Sequence, residues 1–518
     1  MDLIKQLEPL RTHGGARRTV GLEDAVIERF AARDARLVDA IESAAVKFEW
    51  LRKEEPGLLE MDETSQIEAV QEGIVNFYAE DAVSPFVALS ARGPWIVTLK
   101  GAVIHDNGGY GMLGFGHAPS EVLDAMNGRQ VMANIMTPNV SQKRFIAALG
   151  AEIGHTREAG CPYSRFLFLN SGSESVTMAA RMSDINAKRH TDPGGRYAGC
   201  EIRRVGLTKA FHGRTDRPAQ FSDSTRKTYA RHLATFRDND SLITVAPNDS
   251  EQLEQVFAWA KENRIFIEAM FIEPVMGEGN PGMAITPAFY ARARELTRAH
   301  GALLLVDSIQ AGLRAHGVLS ICDYPGFEAL DPPDMETYSK AVNAGQYPLS
   351  VLAMTGEIAA LYHKGIYGNT MTSNPRAMDV GQAVLKSMTP DIRRNIRERG
   401  REFVARFTAL QAELGGAINR VQGTGLLFSL ELNEARYKSY GTDSIEDFMR
   451  VHGINVIHGG QNSLRYTPPF TVTSEEVDLI VEATRKALVE GPVRAQANIE
   501  DARSAQASTE DDEDVVAA

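Results

Sequence analysis

Ala302-Leu303-Leu304-Leu305-Val306-Asp307 is an apolar run that ends on a carboxylate, and 33 residues beyond Asp307 the stretch Thr337-Tyr338-Ser339-Lys340 ends on an amine. The first run has the length and composition of a buried strand. Further apolar, strand-like runs occur at Phe166-Leu169, Ile202-Leu207, Phe271-Ile272 and Leu349-Met354, with amphipathic helical stretches between them. Alternation of this kind from residue 100 to about 390 predicts a mostly parallel sheet with helices on both faces. From about Ile392 the pattern changes to a smaller α+β unit. A long helix to Leu414 is followed by strands at Gly425-Leu432, Ile454-His458 and Ser463-Tyr466, then a helix over Ser474-Leu488, opened by Ser474-Glu475-Glu476.

An amine able to form a Schiff base and a carboxylate at a strand end are two parts that a pyridoxal phosphate enzyme needs. The lysine holds the aldehyde, and the acid keeps the pyridine nitrogen protonated so that the ring can accept electrons. Each is ordinary alone: a lysine after a serine is a common surface residue, and a strand-end acid is often a helix cap. A phosphate cradle is also present. Phe166-Leu167-Phe168-Leu169 leads into Asn170-Ser171-Gly172-Ser173-Glu174-Ser175 and then a helical stretch from Val176 to Lys188. Backbone N–H groups and the positive end of a helix dipole favour a phosphate at such a turn. Ser171 and Glu174 also suit an ordinary capping box. No Gly-Lys-Ser/Thr closes the turn, so it is not a Walker A loop.

Other segments follow in order: Ala210-Phe211-His212-Gly213-Arg214-Thr215; Ile272-Glu273-Pro274-Val275-Met276-Gly277-Glu278-Gly279; Val306-Asp307-Ser308-Ile309-Gln310-Ala311-Gly312; Gly368-Asn369-Thr370-Met371-Thr372-Ser373-Asn374-Pro375; and Leu464-Arg465-Tyr466-Thr467-Pro468-Pro469. Upstream stand Asp106 and Leu113-Gly114-Phe115-Gly116-His117-Ala118-Pro119. Together with the cradle and Ser339-Lys340, this series resembles the class III aminotransferases, the ornithine, acetylornithine and 4-aminobutyrate transaminase family, over roughly residues 90 to 490.

The resemblance implies an aspartate aminotransferase-like fold (PLP fold type I), α/β, with a large cofactor domain and a small C-terminal α+β domain. It implies pyridoxal 5'-phosphate as cofactor. Lys340 would be the Schiff-base lysine and would shuttle the proton. Asp307 would pair with the pyridinium nitrogen. Phe211 would stack on the ring, with His212 beside it. Ser171, Gly172 and Ser173 would bind the phosphate, and Thr370 would reach it from the second subunit of a homodimer or higher oligomer with shared active sites. Gln310 would touch the ring's 3-oxygen region. Arg214 would bind a substrate carboxylate, for which the arginine fork is suited. Glu278 and Arg465 would form a salt bridge acting as a gate, masking Arg465 for an ω-amine and freeing it for an α-carboxylate.

Three departures from the family pattern bear on substrate. Asp307-Ser308 replaces the usual Asp-Glu, which predicts the loss of one acid near the ring. Thr372-Ser373-Asn374-Pro375 replaces Gly-Gly-Asn-Pro, with Arg376 adding a charge beside the phosphate loop. The lysine loop, Asn343-Ala344-Gly345-Gln346-Tyr347-Pro348, is slightly longer than usual.

The implied reaction moves an amino group from an amino acid or ω-amine to a 2-oxo acid, 2-oxoglutarate or pyruvate, by a ping-pong mechanism. A same-family racemase or epimerase, aminomutase or decarboxylase stays open, as does a non-catalytic relative. A chain of 518 residues can bury a large core and hold more than one domain. A net charge of −13 argues against a nucleic-acid partner. Three cysteines, Cys161, Cys200 and Cys322, make no disulfide framework and fit a reducing compartment. No apolar run of membrane-spanning length occurs, no metal-ligand spacing is found among the histidines, and Met1-Asp2-Leu3-Ile4-Lys5 shows no signal-peptide h-region. A cytoplasmic enzyme is therefore expected. His105 and His117 read as loop or structural residues. The domain plan is a helical extension over 1–85, a cofactor domain over 86–390, a small domain over 391–493 and a disordered acidic tail over 494–518. The extension is expected either to cover a neighbouring subunit or the active-site entrance, or simply to pack on the surface.

Overall fold

The computed structural model describes residues 2–132, 135–237 and 241–494. Of the expected acidic tail, residues 495–518 lie outside the described residues. The chain forms two compact units. The first holds residues up to Pro119, Arg399–Gln422 and those from Phe428 onward; the second holds Ser120–Glu398 and Gly423–Leu427.

The second unit is built on a seven-stranded sheet. Its strands are β1 (Arg165–Leu169), β2 (Glu201–Leu207), β3 (Leu242–Val245), β4 (Ile265–Ile272), β5 (Leu303–Asp307), β6 (Met335–Tyr338) and β7 (Ser350–Met354). Their spatial order is β1-β7-β6-β5-β4-β2-β3. The pairs β5–β6, β4–β5, β2–β4 and β2–β3 are parallel. Strand β7 is antiparallel to both its neighbours. The cause is local. Only residues 339–349 separate β6 from β7, too few for the crossover of a dozen or more residues that a parallel return requires.

Strand β4 is buried at all eight positions and β5 at all five, so both read as continuous apolar runs rather than alternating ones. Glu268 is the polar exception in β4. Its carboxylate is matched by Arg204 at 2.6 Å and Arg217 at 3.3 Å, which removes the cost of leaving a buried charge unpaired. The helix Gly172–Thr191 lays Val176, Met178, Ala179, Ala180 and Met182 on a core that contains Phe221, Phe271, Leu305 and Leu352. Phe221 and Phe271 stack there at 3.7 Å.

In the first unit, strands Ala88–Arg92, Trp95–Thr98 and Val103–Asp106 form an antiparallel meander, and Ile454–Asn455 adds to its edge in parallel. A second sheet contains Ile418–Thr424, Leu427–Leu432, Ser463–Tyr466 and Ile457–Gly459. The helix Ser474–Glu490 starts where the sequence suggests. Thr473 and Glu476 make a reciprocal capping box there.

The N-terminal helices belong to this unit. Helix Ala35–Glu54 borders the meander, with Trp95 Nε1 donating to Asp34 at 2.8 Å and Arg92 pairing with Asp39 at 2.7 Å. Lys100 is buried, and its Nζ donates to the carbonyls of Gly15 and His13. The buried carboxylate of Glu63 accepts the N–H groups of Arg18 and Thr19. His105 and His117 are structural: the first meets Glu476 at 3.1 Å and the second Asp106 at 2.8 Å. Among the described residues, no helix is long and apolar enough to cross a membrane.

Candidate active site

The site is assembled at the carboxyl ends of the strands of the large sheet, where α/β folds gather their functional loops. Asp307 is the last residue of β5 and is buried. Its Oδ2 lies 2.8 Å from His212 Nδ1, and its Oδ1 accepts from Thr337 Oγ1 at 3.1 Å and from the Ile309 N–H at 3.2 Å. Thr337 is paired with Asp307 across β5 and β6, so strand register places the hydroxyl. Three residues later comes Lys340. Its φ of 48° is a left-handed conformation that a non-glycine residue adopts at a cost of about 1–3 kcal/mol. The strand end is held by Ser339 Oγ, which donates to the Leu349 carbonyl at 2.8 Å.

The cradle forms as a helix N-terminus. Ser171 is the N-cap of helix Gly172–Thr191 and its Oγ accepts the Glu174 N–H at 3.2 Å. The reciprocal bond of a capping box is not made to Ser171, because Glu174 Oε2 takes the N–H of Asn170 instead, at 2.7 Å. Its other oxygen accepts from Tyr367 Oη at 2.7 Å and Asn369 Nδ2 at 2.8 Å. Burial alone would raise this carboxyl, but those hydrogen bonds outweigh it and hold Glu174 below the usual range. Glu174 therefore ties the segment leading to Thr370, which is exposed, to the cradle.

Close backbone approach explains two glycines. A Cβ on Gly172 would lie 2.7 Å from Ile309 Cδ1, and one on Gly277 would lie 2.3 Å from the Gln310 amide carbon. Each would displace a side chain of the loop that follows Asp307. Arg214 Nη2 lies 3.6 Å from Glu278 Oε1, and its guanidinium sits 5.5 Å from the centre of the Phe211 ring. Within the second unit, Glu278 is thus paired with Arg214. Arg465 lies on strand Ser463–Tyr466 of the first unit, where it is buried.

The structure adds residues that the sequence did not single out for a role. Glu273, just past β4, is 3% exposed and accepts the N–H groups of Phe211 at 3.0 Å and Gly277 at 2.8 Å. Burial pushes its carboxyl up to about 7, with the nearby Asp307 charge adding to the rise and His212 opposing it. Its position in the Glu-Pro segment was visible; its two backbone partners were not. Glu336 in β6 is the second addition. It accepts from Ser308 Oγ at 2.6 Å, Ser320 Oγ at 2.5 Å, the Ile321 N–H at 2.9 Å and Tyr163 Oη at 2.9 Å. Ser308, where the family pattern has an acid, thus donates to a buried carboxylate on the neighbouring strand. Alternation along β6 directs it to the face opposite Thr337. Arg376, expected to add charge near the phosphate loop, directs its Nε toward Gln130 Oε1 at 3.4 Å.

The residues present fit a planar, phosphorylated cofactor. His212 Nε2 and Gln310 Oε1 are buried without a hydrogen-bond partner among the described residues, a state that is costly unless a ligand or water completes it. Both flank Asp307 in the fold or in sequence, and the cradle supplies a helix N-terminus for an anion.

The family model for aminotransferase class-III matches residues 77–488. The chain belongs to the class III aminotransferase family. Its members are pyridoxal phosphate-dependent transaminases, and pyridoxal 5'-phosphate is the cofactor of this enzyme. Among curated relatives, it is 27% identical to the acetylornithine aminotransferase of Neisseria meningitidis over 403 residues, covering 76% of this chain and 92% of that one. It is 27% identical to the LysW-aminoadipate semialdehyde transaminase of Deinococcus radiodurans over 384 residues, 73% of this chain and 80% of the relative. The crystal structure of ornithine aminotransferase from Toxoplasma gondii ME49 superposes with a TM-score of 0.70 at 21% identity, covering 85% of this chain and 98% of that chain. The seven-stranded order and the single antiparallel strand are those of a fold type I aminotransferase.

Proposed function

We propose that this class III aminotransferase moves an amino group from an amino acid or ω-amine to a 2-oxo acid, 2-oxoglutarate or pyruvate, in two half-reactions. The observation that carries this reading is the pair formed by Asp307, held at the end of β5 by His212 and Thr337, and Lys340 at the end of β6. Pyridoxal phosphate supplies an aldehyde that takes up the amine and a ring that accepts electrons. Asp307 holds a proton on the ring nitrogen, since an adjacent anion favours the protonated form. Lys340 would hold the aldehyde and would carry a proton away from the donor's amine-bearing carbon. Phe211 would stack on the ring, Ser171, Gly172 and Ser173 would bind the phosphate, and Gln310 would meet the 3-oxygen. Arg214 binds a substrate carboxylate, and Glu278 and Arg465 sort ω-amines from α-carboxylates.

The working unit in this reading is a homodimer in which Thr370 of a second copy reaches the phosphate. Thr370 is exposed, as are Met371 beside it and Val131, Met132, Ile135, Met136 and Val140. Exposed apolar side chains such as these are what a partner surface would cover. A reducing, cytoplasmic setting is proposed from the three free cysteines.

The test is to mix holoenzyme with single amino donors in the absence of an acceptor and follow the visible cofactor band. A donor that bleaches the band, with stoichiometric oxo product and recovery on adding 2-oxoglutarate or pyruvate, supports transamination. Continuous conversion of one amino acid with no acceptor would replace this reading with racemisation, mutation or decarboxylation.

A further inference from the structure

Helix Gly172–Thr191 opens the phosphate cradle, and one face of it also grips a distant loop of the same unit at two points. Glu174, in the first turn, accepts from Tyr367 Oη at 2.7 Å and from Asn369 Nδ2 at 2.8 Å. Arg181 stands two turns further along the same face. It donates from Nη1 to the Ile366 carbonyl, and its guanidinium lies 5.9 Å from the centre of the Tyr367 ring. The stretch 366–369 is therefore laid along that face and held at both ends.

Asn369 passes this hold on to Thr370. While its Nδ2 donates to Glu174, its Oδ1 accepts the Met371 N–H at 3.0 Å. Its carbonyl accepts the Thr372 N–H at 3.2 Å and Thr372 Oγ1 at 2.7 Å. Thr370 thus sits in a turn closed by Asn369, with its own side chain exposed. The bonds into Glu174 are strong ones. Despite burial, the hydrogen bonds from Tyr367, Asn170 and Asn369 hold this carboxyl below its ordinary range, so it stays charged. Burial and that same carboxylate hold the Tyr367 hydroxyl above its ordinary range, so it stays a donor. A charged acceptor roughly doubles the strength of such bonds. Through Oε2, which takes the Asn170 N–H at 2.7 Å, Glu174 joins the Thr370 turn to the strand end that enters the cradle.

We propose that Glu174 is a positioning residue that acts in trans: by fixing the Thr370 turn of its own chain, it sets the hydroxyl that completes the phosphate site of the second subunit. The inference rests on the proposed reach of Thr370 to the cofactor of a second copy. Each cradle helix then has two tasks. Its N-terminus receives the phosphate of its own chain, and its Glu174 presents Thr370 to the other. An exposed turn without such a hold samples many conformations, and binding carries the cost of ordering it. Removing Glu174 from one chain should therefore weaken the site whose lysine and cradle belong to the other chain.

The experiment uses full-length hybrid dimers, purified through a different affinity tag on each chain and titrated with pyridoxal phosphate. The second chain always carries Lys340→Ala, so the visible band of lysine-bound cofactor reports only the site of the first chain. Cofactor Kd is read from that band, beside turnover. Adding Thr370→Ala to the second chain should raise Kd at the reporting site by about 10-fold, the effect of one hydrogen bond to a charged group. Adding Glu174→Ala there instead should raise it by about 3- to 10-fold, although the reporting chain is wild type throughout. Adding both should do no more than Thr370→Ala alone. Asn369→Ala in the second chain breaks the hold from its other end, should match Glu174→Ala, and carries the test if Glu174→Ala does not fold. A Kd unchanged by Glu174→Ala or Asn369→Ala, beside one raised by Thr370→Ala, overturns the proposal and leaves Thr370 in its role. So does a loss confined to hybrids whose reporting chain carries Glu174→Ala, which makes Glu174 a part of its own cradle only. If Thr370→Ala in the second chain changes nothing, or the chain is monomeric, the shared-site reading fails and this inference falls with it.

Discussion

His212 Nδ1 and Asp307 Oδ2 lie 2.8 Å apart, both side chains buried. The imidazole is therefore directed behind the carboxylate, and Thr337 bonds the other oxygen at 3.1 Å. A carboxylate restrained from both sides faces the site in one orientation. In the proposed reaction the charge of Asp307, rather than a hydrogen bond alone, would determine the protonation of the ring nitrogen.

Asp307→Asn keeps the shape and the Thr337 contact but removes that charge. Turnover is expected to fall on the order of 10²-fold or more, while much of the cofactor stays bound. Steady-state rates beside the cofactor's absorbance check this, and near-wild-type turnover in the variant would remove Asp307 from the role.

Borohydride reduction of the enzyme should fix the cofactor's mass on the peptide that contains Lys340. The motive is the left-handed backbone at Lys340 just past the end of β6, a strained position beside the loops of the site. Peptide mass mapping reads the outcome directly. A label on any other lysine would contradict the assignment.

Glu273 should give the folded enzyme a pH-dependent stability. Its carboxyl is pushed up to about 7 by burial, against an ordinary value of 4.5. Between these values the folded chain holds a proton that the unfolded chain releases, so stability falls as pH rises through the window, by up to about 3 kcal/mol. Urea midpoints at pH 5 and 7.5 test this. The wild-type difference should shrink in Glu273→Gln, although that variant is less stable at pH 5 because one of its two backbone partners loses an acceptor. An unchanged difference would mean that Glu273 does not titrate in this range.

Subunit complementation tests Thr370. Lys340→Ala and Thr370→Ala proteins, each impaired alone, are mixed and allowed to exchange subunits. Hybrid dimers carry both lesions in one site and none in the other, so activity should return toward about a quarter of wild type, half the molecules being hybrids with one intact site. Failure of exchanged hybrids to recover activity, or a fully active monomer, would show that each chain completes its own site.

Glu278→Ala should remove the carboxylate that faces Arg214 at 3.6 Å and shift donor preference toward α-amino acids. A charged hydrogen bond at stake is worth about 1.5–3 kcal/mol, or roughly 10- to 100-fold in relative kcat/KM. Competition between an α-amino acid and an ω-amine measures it. Equal changes for both donors would leave Glu278 a structural residue.

Most strands of the large sheet were legible as apolar runs, but β6, Met335–Tyr338, was not read as a strand, because Glu336 and Thr337 interrupt its apolar pattern. Leu303–Asp307 needed no context, and the loops after Leu169 and Asp307 announced themselves by residue type and order. Strand β3, Leu242–Val245, was missed: it is four residues long with two half-buried positions, too short for periodicity to register. The antiparallel sense of β7 was likewise not written in its own residues but in the short link from Tyr338. The meander over 88–106 escaped because its first strand is only partly buried.

By itself the sequence determined the fold class, the family, the cofactor and the order in which the candidate residues reach the sheet's edge, since these depend on local composition and on spacing along the chain. Tertiary structure alone decided the partners. Glu273 reaches the N–H groups of Phe211 and Gly277, Glu336 accepts from Ser308, Glu174 ties down the Tyr367–Asn369 segment, and Tyr78 stacks on Tyr110. Hydrogen bonds and ring contacts act over a few ångströms, whereas these partners lie between 4 and 195 residues apart. Only folding brings such groups within range, and no local pattern in the chain encodes which of many similar residues will meet.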